Sequence, residues 1–212
     1  MSERKHWWKA IGGLSVALGV PALPLSRWTH EFKDASHLVS YELVWWSLSL
    51  AIVLYTIYVE RRPLRFLGMK PFRFRDLALG IATGAGTFVL LGFLLFTFSW
   101  LQTGVTLAAG SLVVAPLWRR LISTVRAAFA EELLFRGYAT SRLQDLTRKP
   151  KLAGLLSCAI FTAEHIPVWG WTHLVLAGCG GLALTATFLW KRNLWIVVMA
   201  HFVVDGASLL FA

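Results

Sequence analysis

Charge is scarce in this chain of 212 residues: 15% are Asp, Glu, Lys or Arg, against about 25% in a soluble domain. Acid is scarcer than base, 11 residues against 21. The stretch Leu77–Trp118 holds no charged residue. Cysteine is nearly absent. Cys158 and Cys179 lie in apolar segments without metal-type spacing, so they read as small packed hydrophobes. No HExxH pattern occurs. The first apolar run, Ala10–Leu25, lacks a small-residue cleavage site and reads as a retained span. Inverted repeats, which mark many transporter folds, are also missing. Hydrophobic residues are abundant at 57%, with 11 Trp and 14 Phe, and mean hydropathy is +0.61. These proportions place the chain among polytopic helical membrane proteins.

The net charge of +10 would suit nucleic acid. The basic residues instead sit at the ends of apolar runs, which assigns them to topology and anionic headgroups and excludes a nucleic-acid partner. The clear runs are Tyr41–Val59, Leu77–Leu101, Leu152–His165, Trp171–Trp190 and Leu194–Ala212. Trp8–Leu25, broken by Pro21 and Pro24, and Arg119–Ser141 are weaker. The short run Leu152–His165 is expected to extend past both ends.

The predicted fold is all-α: a polytopic transmembrane bundle of about seven spans, eight at most, with its active site inside the membrane. It forms one domain over 1–212, with N-terminal spans at about 8–101 and a motif-bearing core at about 119–212. A cytoplasmic N-terminus puts Arg4, Lys5, Lys9, the Arg61–Arg75 run, Arg142–Lys151, Lys191 and Arg192 inside, leaving Arg27, Lys33, Arg119 and Arg120 outside. Tryptophans gather at span ends, as interfacial rings do. Thr103–Trp118 reads as a re-entrant or interfacial piece, because a further crossing would expel the Arg142–Lys151 cluster.

Three patterns interrupt the apolar C-terminal half: Glu131-Glu132-x-x-x-Arg136, Phe161-x-x-x-His165 and His201-x-x-x-Asp205. A titratable group at membrane depth costs about 2.5–3.5 kcal/mol, so each marks a functional site. At about 1.5 Å rise per residue, Glu131 lies roughly 16 Å from its cytoplasmic boundary, His165 roughly 21 Å, and His201 and Asp205 roughly 14 and 20 Å. One layer near mid-membrane therefore holds all four. Glu132 and Arg136, four apart, pair on one helical face and read as structural support. Glu131 points about 100° away and is the available acid. Asp205 shares a face with His201 and can orient its ring.

This inventory suits hydrolysis within a bilayer. Glu131 would draw a proton from a water shared with His165, and His201 with Asp205 would steady the oxyanion. A divalent metal such as Zn²⁺ held by Glu131, His165 and His201 is the alternative, and the spacing leaves both open. A polar network gluing helices, or a proton relay, would use the same residues. His173, beside Trp171, reads as interfacial; His6, His30 and His37 read as solvated loop residues; Glu164 has no assigned role. Gly80-x-x-x-Gly84 and Gly178-Cys179-Gly180-Gly181 read as close helix approaches.

At these residues the chain resembles the CPBP family: type II CAAX prenyl endopeptidases, bacterial Abi relatives linked to bacteriocin processing and self-immunity, and lysostaphin-resistance-type proteins. Ala130-Glu131-Glu132-Leu133-Leu134-Phe135-Arg136-Gly137, Phe161-Thr-Ala-Glu-His165 and His201-Phe-Val-Val-Asp205 stand in the family's order. The resemblance implies an intramembrane endopeptidase of glutamate or metal type, in which Glu131 and His165 activate water while His201 and Asp205 serve the oxyanion. A non-enzymatic immunity or scaffolding protein on the same fold is the other implied reading. Asp205 stands where prenyl-protease members often carry Asn, and an ionised Asp accepts but cannot donate. The expected partners are a peptide or membrane-protein substrate and the lipid bilayer; the expected location is a bacterial inner membrane.

Overall fold

The computed structural model describes residues 7–23, 35–101, 103 and 116–210. Arg4, Lys5, His6, Arg27, His30, Lys33 and most of Thr103–Trp118 lie outside them. Among the described residues every regular element is helical. Helix α1 covers Trp7–Gly19 and stops ahead of Pro21, which cannot donate to a continuing helix. Helix α2, Ala35–Leu54, runs on as a π-helical turn over Tyr55–Val59. Helix α3 spans Phe74–Trp100. Helix α4, Leu117–Glu131, passes into a π-helical segment, Glu132–Thr140, and then into α5, Ser141–Thr147. Helices α6 (Pro150–Glu164), α7 (Ile166–Trp169), α8 (Leu174–Lys191) and α9 (Leu194–Leu210) complete the bundle.

Each span expected from the sequence overlaps one of these rods. Val39–Val59, Phe74–Trp100 and Trp171–Lys191 are long and apolar enough to cross a membrane, and Leu194–Ala207 is a shorter apolar helix. The rod through α4 and the π segment is less apolar for a physical reason. Its polar side chains Ser123, Thr124, Arg126, Glu132 and Arg136 are buried against other helices rather than turned to lipid, the arrangement a bilayer requires of charged groups. Helix α6 departs from the expected extension of Leu152–His165 past both ends. Helix α6 gains Pro150 and Lys151 at its start but does not run past His165. His165 caps it and Pro167 opens a separate short helix, because the residues before a proline disfavour unbroken α geometry.

The π segment is the hub of the bundle. Every residue from Glu132 to Thr140 is buried. Leu133, Leu134, Phe135 and Tyr138 join Leu48, Ile52, Phe161, Phe188 and Val197 in one core. Such segments place side chains out of the regular helical phase and favour functional positions. Two small residues let α3 reach α9. A Cβ on Gly80 would lie 2.7 Å from Met199 Cβ, and one on Gly84 would lie 2.6 Å from the Ala200 carbonyl oxygen. The backbone of α9 just before His201 is thereby seated on α3.

Candidate intramembrane site

The two glutamates separate as their spacing predicts. Glu132 is fully buried, and its Oε1 accepts a 2.7 Å bond from Arg136 Nη1. Arg136 spends its other donors on helix α8: Nη2 on the Gly181 carbonyl at 3.1 Å and Nε on Thr185 Oγ1 at 3.3 Å. Gly181 makes that approach possible, since a Cβ there would lie 3.3 Å from Arg136 Nη2 and 3.1 Å from Phe161 Cδ1. Glu131, one residue earlier, is half-buried and interacts electrostatically with Glu164.

Phe161 carries the link to the second pattern. Its ring lies under the Arg136 guanidinium, 4.2 Å from carbon to centroid, and 4.6 Å from the His165 ring. A desolvated cation–π contact of this kind is worth about 2 kcal/mol. The four-residue spacing of Phe161 and His165 thus has a mechanical meaning: one helical turn stacks the aromatic between cation and imidazole. His165 Nδ1 lies 2.8 Å from the Phe161 carbonyl oxygen. A carbonyl only accepts, so Nδ1 carries the hydrogen and Nε2 is left to accept a proton or a ligand.

The third pattern closes the network. His201, nearly buried, has Nδ1 2.9 Å from Glu132 Oε1 and Nε2 3.3 Å from Asp205 Oδ2. Asp205 and Glu132 thus flank the ring at its two nitrogens. The Asp205 side chain is 39% exposed, so the oxygen-rich end of this triad faces an accessible space. Asp205 also interacts electrostatically with His165 and Arg126.

Several neighbours were not legible in the sequence. His173 is not simply interfacial; its ring stacks on His165 at 6.1 Å between centroids and 14° between planes. Glu164 carries a buried Oε1 with no hydrogen-bond partner among the described residues, beside the Glu131 carboxylate. Arg126 pairs with Glu42 at 3.1 Å and sits over the rings of Tyr41 and Trp45. Glu42 could have been found by one signal: an acid inside an apolar span needs a cationic partner.

As placed, the Glu131, His165 and His201 side chains are not gathered around one point. Among the described residues no group of three or more His, Cys, Asp or Glu side chains is set to hold an ion. Both His201 nitrogens already face carboxylate oxygens.

Residues 113–207 match the family model described as Type II CAAX prenyl endopeptidase Rce1-like. No curated protein and no solved structure matches the chain. The matched region holds all three patterns and the residues that link them. Over residues 113–207 the chain is similar to the type II CAAX prenyl endopeptidases, and its long apolar helices are those of an integral membrane protein.

Proposed function

We propose that the chain is an intramembrane endopeptidase that hydrolyses a peptide bond with water activated between Glu131 and His165. The similarity of residues 113–207 to type II CAAX prenyl endopeptidases supports this reaction class. The observation that carries the mechanism is the tautomer of His165: its Nδ1–H is committed to the Phe161 carbonyl, leaving Nε2 as an acceptor. Glu131 is the half-buried acid not bound up in the Arg136 pair.

In this mechanism Glu131 removes a proton from water while His165 Nε2 orients the same molecule. The nascent hydroxide attacks the peptide carbonyl and gives a tetrahedral oxyanion. His201, held by Glu132 at Nδ1 and Asp205 at Nε2, presents the polarised Cε1–H edge between those nitrogens to that charge. Collapse of the intermediate breaks the C–N bond, and the proton taken by Glu131 passes to the leaving amine. The geometry favours this glutamate-type chemistry, since both His201 nitrogens are engaged. A bacterial inner membrane with a cytoplasmic N-terminus is the setting that the basic loops support.

The test is a survey of new protein N-termini in membranes of cells expressing wild type or Glu131→Gln at equal abundance. N-termini that appear only with wild type establish proteolysis and name substrates. Identical surveys from two folded, abundant proteins would transfer the assignment to a non-enzymatic immunity or scaffolding role.

A further inference from the structure

A second site lies away from the three patterns, where α3, α8 and α9 meet. A cavity of about 530 Å³ is lined there by Arg65, Lys70, Arg73, Arg75 and Lys191, with Asp76 as its acid. Arg65, Arg73 and Arg75 are exposed, and among the described residues none of them forms an ion pair. Like charges crowded around one hollow raise the free energy of the empty site, and an anion relieves it.

The walls are fixed by hydrogen bonds between distant parts of the chain. Lys70 Nζ donates to the Lys191 carbonyl at 2.8 Å, Trp195 Nε1 donates to the Lys70 carbonyl at 2.9 Å, and Leu194 N donates to the Gly68 carbonyl at 2.9 Å. Gly68 turns the chain at φ +78°, and a Cβ there would lie 2.8 Å from the Phe188 ring. Lys70 and the backbone around the cavity are therefore held in place before any ligand arrives.

Its position identifies the ligand. The long apolar helix α3 begins at Phe74, so the cavity stands at the level where hydrocarbon gives way to headgroups. Phe72 and Phe74 are exposed and pack edge to face with centroids 5.9 Å apart. Trp190, also exposed, lies 3.4 Å beneath Lys191 Nζ. Aromatic rings at this depth are interfacial anchors, and a basic pocket above them suits a phosphate. We propose that this cavity binds the phosphate headgroup of an anionic membrane phospholipid, whose acyl chains run down past Phe72, Phe74 and Trp190.

The experiment titrates the purified full chain in detergent with dioctanoyl phosphatidylglycerol, dioctanoyl phosphatidylcholine or inorganic phosphate, following bound lipid by native mass spectrometry. Phosphatidylglycerol is expected to bind at least tenfold more tightly than phosphatidylcholine. Arg73→Gln/Arg75→Gln should weaken it by roughly fivefold per cation removed, while Arg73→Lys/Arg75→Lys keeps it. Glu131→Gln, remote from this rim, should bind as wild type does. Equal affinity for the two lipids, or undiminished binding by a folded Gln double variant, overturns the proposal. Inorganic phosphate binding as tightly as the lipid also overturns it, by moving the site to a soluble anion.

Discussion

Glu132 Oε1 lies 2.9 Å from His201 Nδ1 and 2.7 Å from Arg136 Nη1. One carboxylate oxygen thus joins the first pattern to the third, across 69 residues of chain. The second glutamate is therefore more than the partner of an arginine four residues on. It fixes which face His201 presents and locks α9 to the π segment. Removing it strands Arg136 among the neutral acceptors Gly181 and Thr185 and leaves the His201 ring held by Asp205 alone. Glu132→Ala should cost about 3–5 kcal/mol, the toll of leaving a buried charge unpaired. Glu131→Ala should cost about 1 kcal/mol while abolishing cleavage. Thermal unfolding of both variants in detergent checks this, and equal losses would refute the division of labour.

Gly84 makes a separate prediction at a distance from the chemistry. Its Cα hydrogen faces the Ala200 carbonyl, where a Cβ would sit at 2.6 Å, and Val203 Cβ, at 2.7 Å. A larger residue must push α9 outward, and His201 moves with it. Gly84→Leu should destabilise the fold by about 1–3 kcal/mol, the usual cost of overpacking. It should also lower kcat by more than the stability loss explains. Gly86, with open space around it, supplies the control: Gly86→Leu leaves kcat unchanged. A kcat that survives in folded Gly84→Leu would separate α9 from the reaction.

The three patterns, the helical class and the span positions were readable because each depends on local spacing. Four residues bring Glu132 to Arg136 and His201 to Asp205 in any helix, α or π. What spacing could not reveal was tertiary. Nothing local tells that Phe161 will slide beneath the Arg136 guanidinium, that His173 will stack on His165, or that Glu132 will reach His201. The π turn over Glu132–Thr140 was hidden too. Its sequence has no proline to mark it. The early end of α6 was legible after all, in Pro167, but the apolar run masked it. Nor does local spacing reveal the partners of Glu60. It is buried beneath Tyr138 and Arg142, accepting a 2.8 Å bond from the tyrosine hydroxyl.

Asp205 should behave as an acceptor that orients His201. Its side chain reaches Nε2 at 3.3 Å and is partly exposed on the protein surface. Asp205→Asn keeps an acceptor carbonyl in place, so cleavage should persist within about tenfold of wild type. Asp205→Leu removes the acceptor and should lower kcat by roughly 10²-fold, the lower bound for a misaligned acid–base group. Both variants should unfold near the wild-type temperature, because the lost contact is half exposed. Steady-state rates on a substrate found in the N-terminal survey supply the measurement. Equal activity of the Leu variant would remove Asp205 from the site.

Arg126 and Glu42 make the fourth prediction. Their 3.1 Å pair ties α4 to α2, with Ser123 Oγ on the same Glu42 oxygen at 3.3 Å. Both side chains are nearly buried. Arg126→Met leaves Glu42 desolvated against Ser123 alone and should cost about 3–5 kcal/mol, and Glu42→Leu should cost a similar amount by stranding the guanidinium. The double variant removes both desolvation penalties and places two apolar side chains against Tyr41 and Trp45. It should therefore be at least as stable as either single variant, with a coupling energy of about 1–3 kcal/mol. Activity distinguishes a strut from a participant. Arg126 also acts electrostatically on Asp205, so the double variant should regain stability without regaining full kcat. Complete recovery of both in a double-mutant cycle would make the pair a helix strut and nothing more.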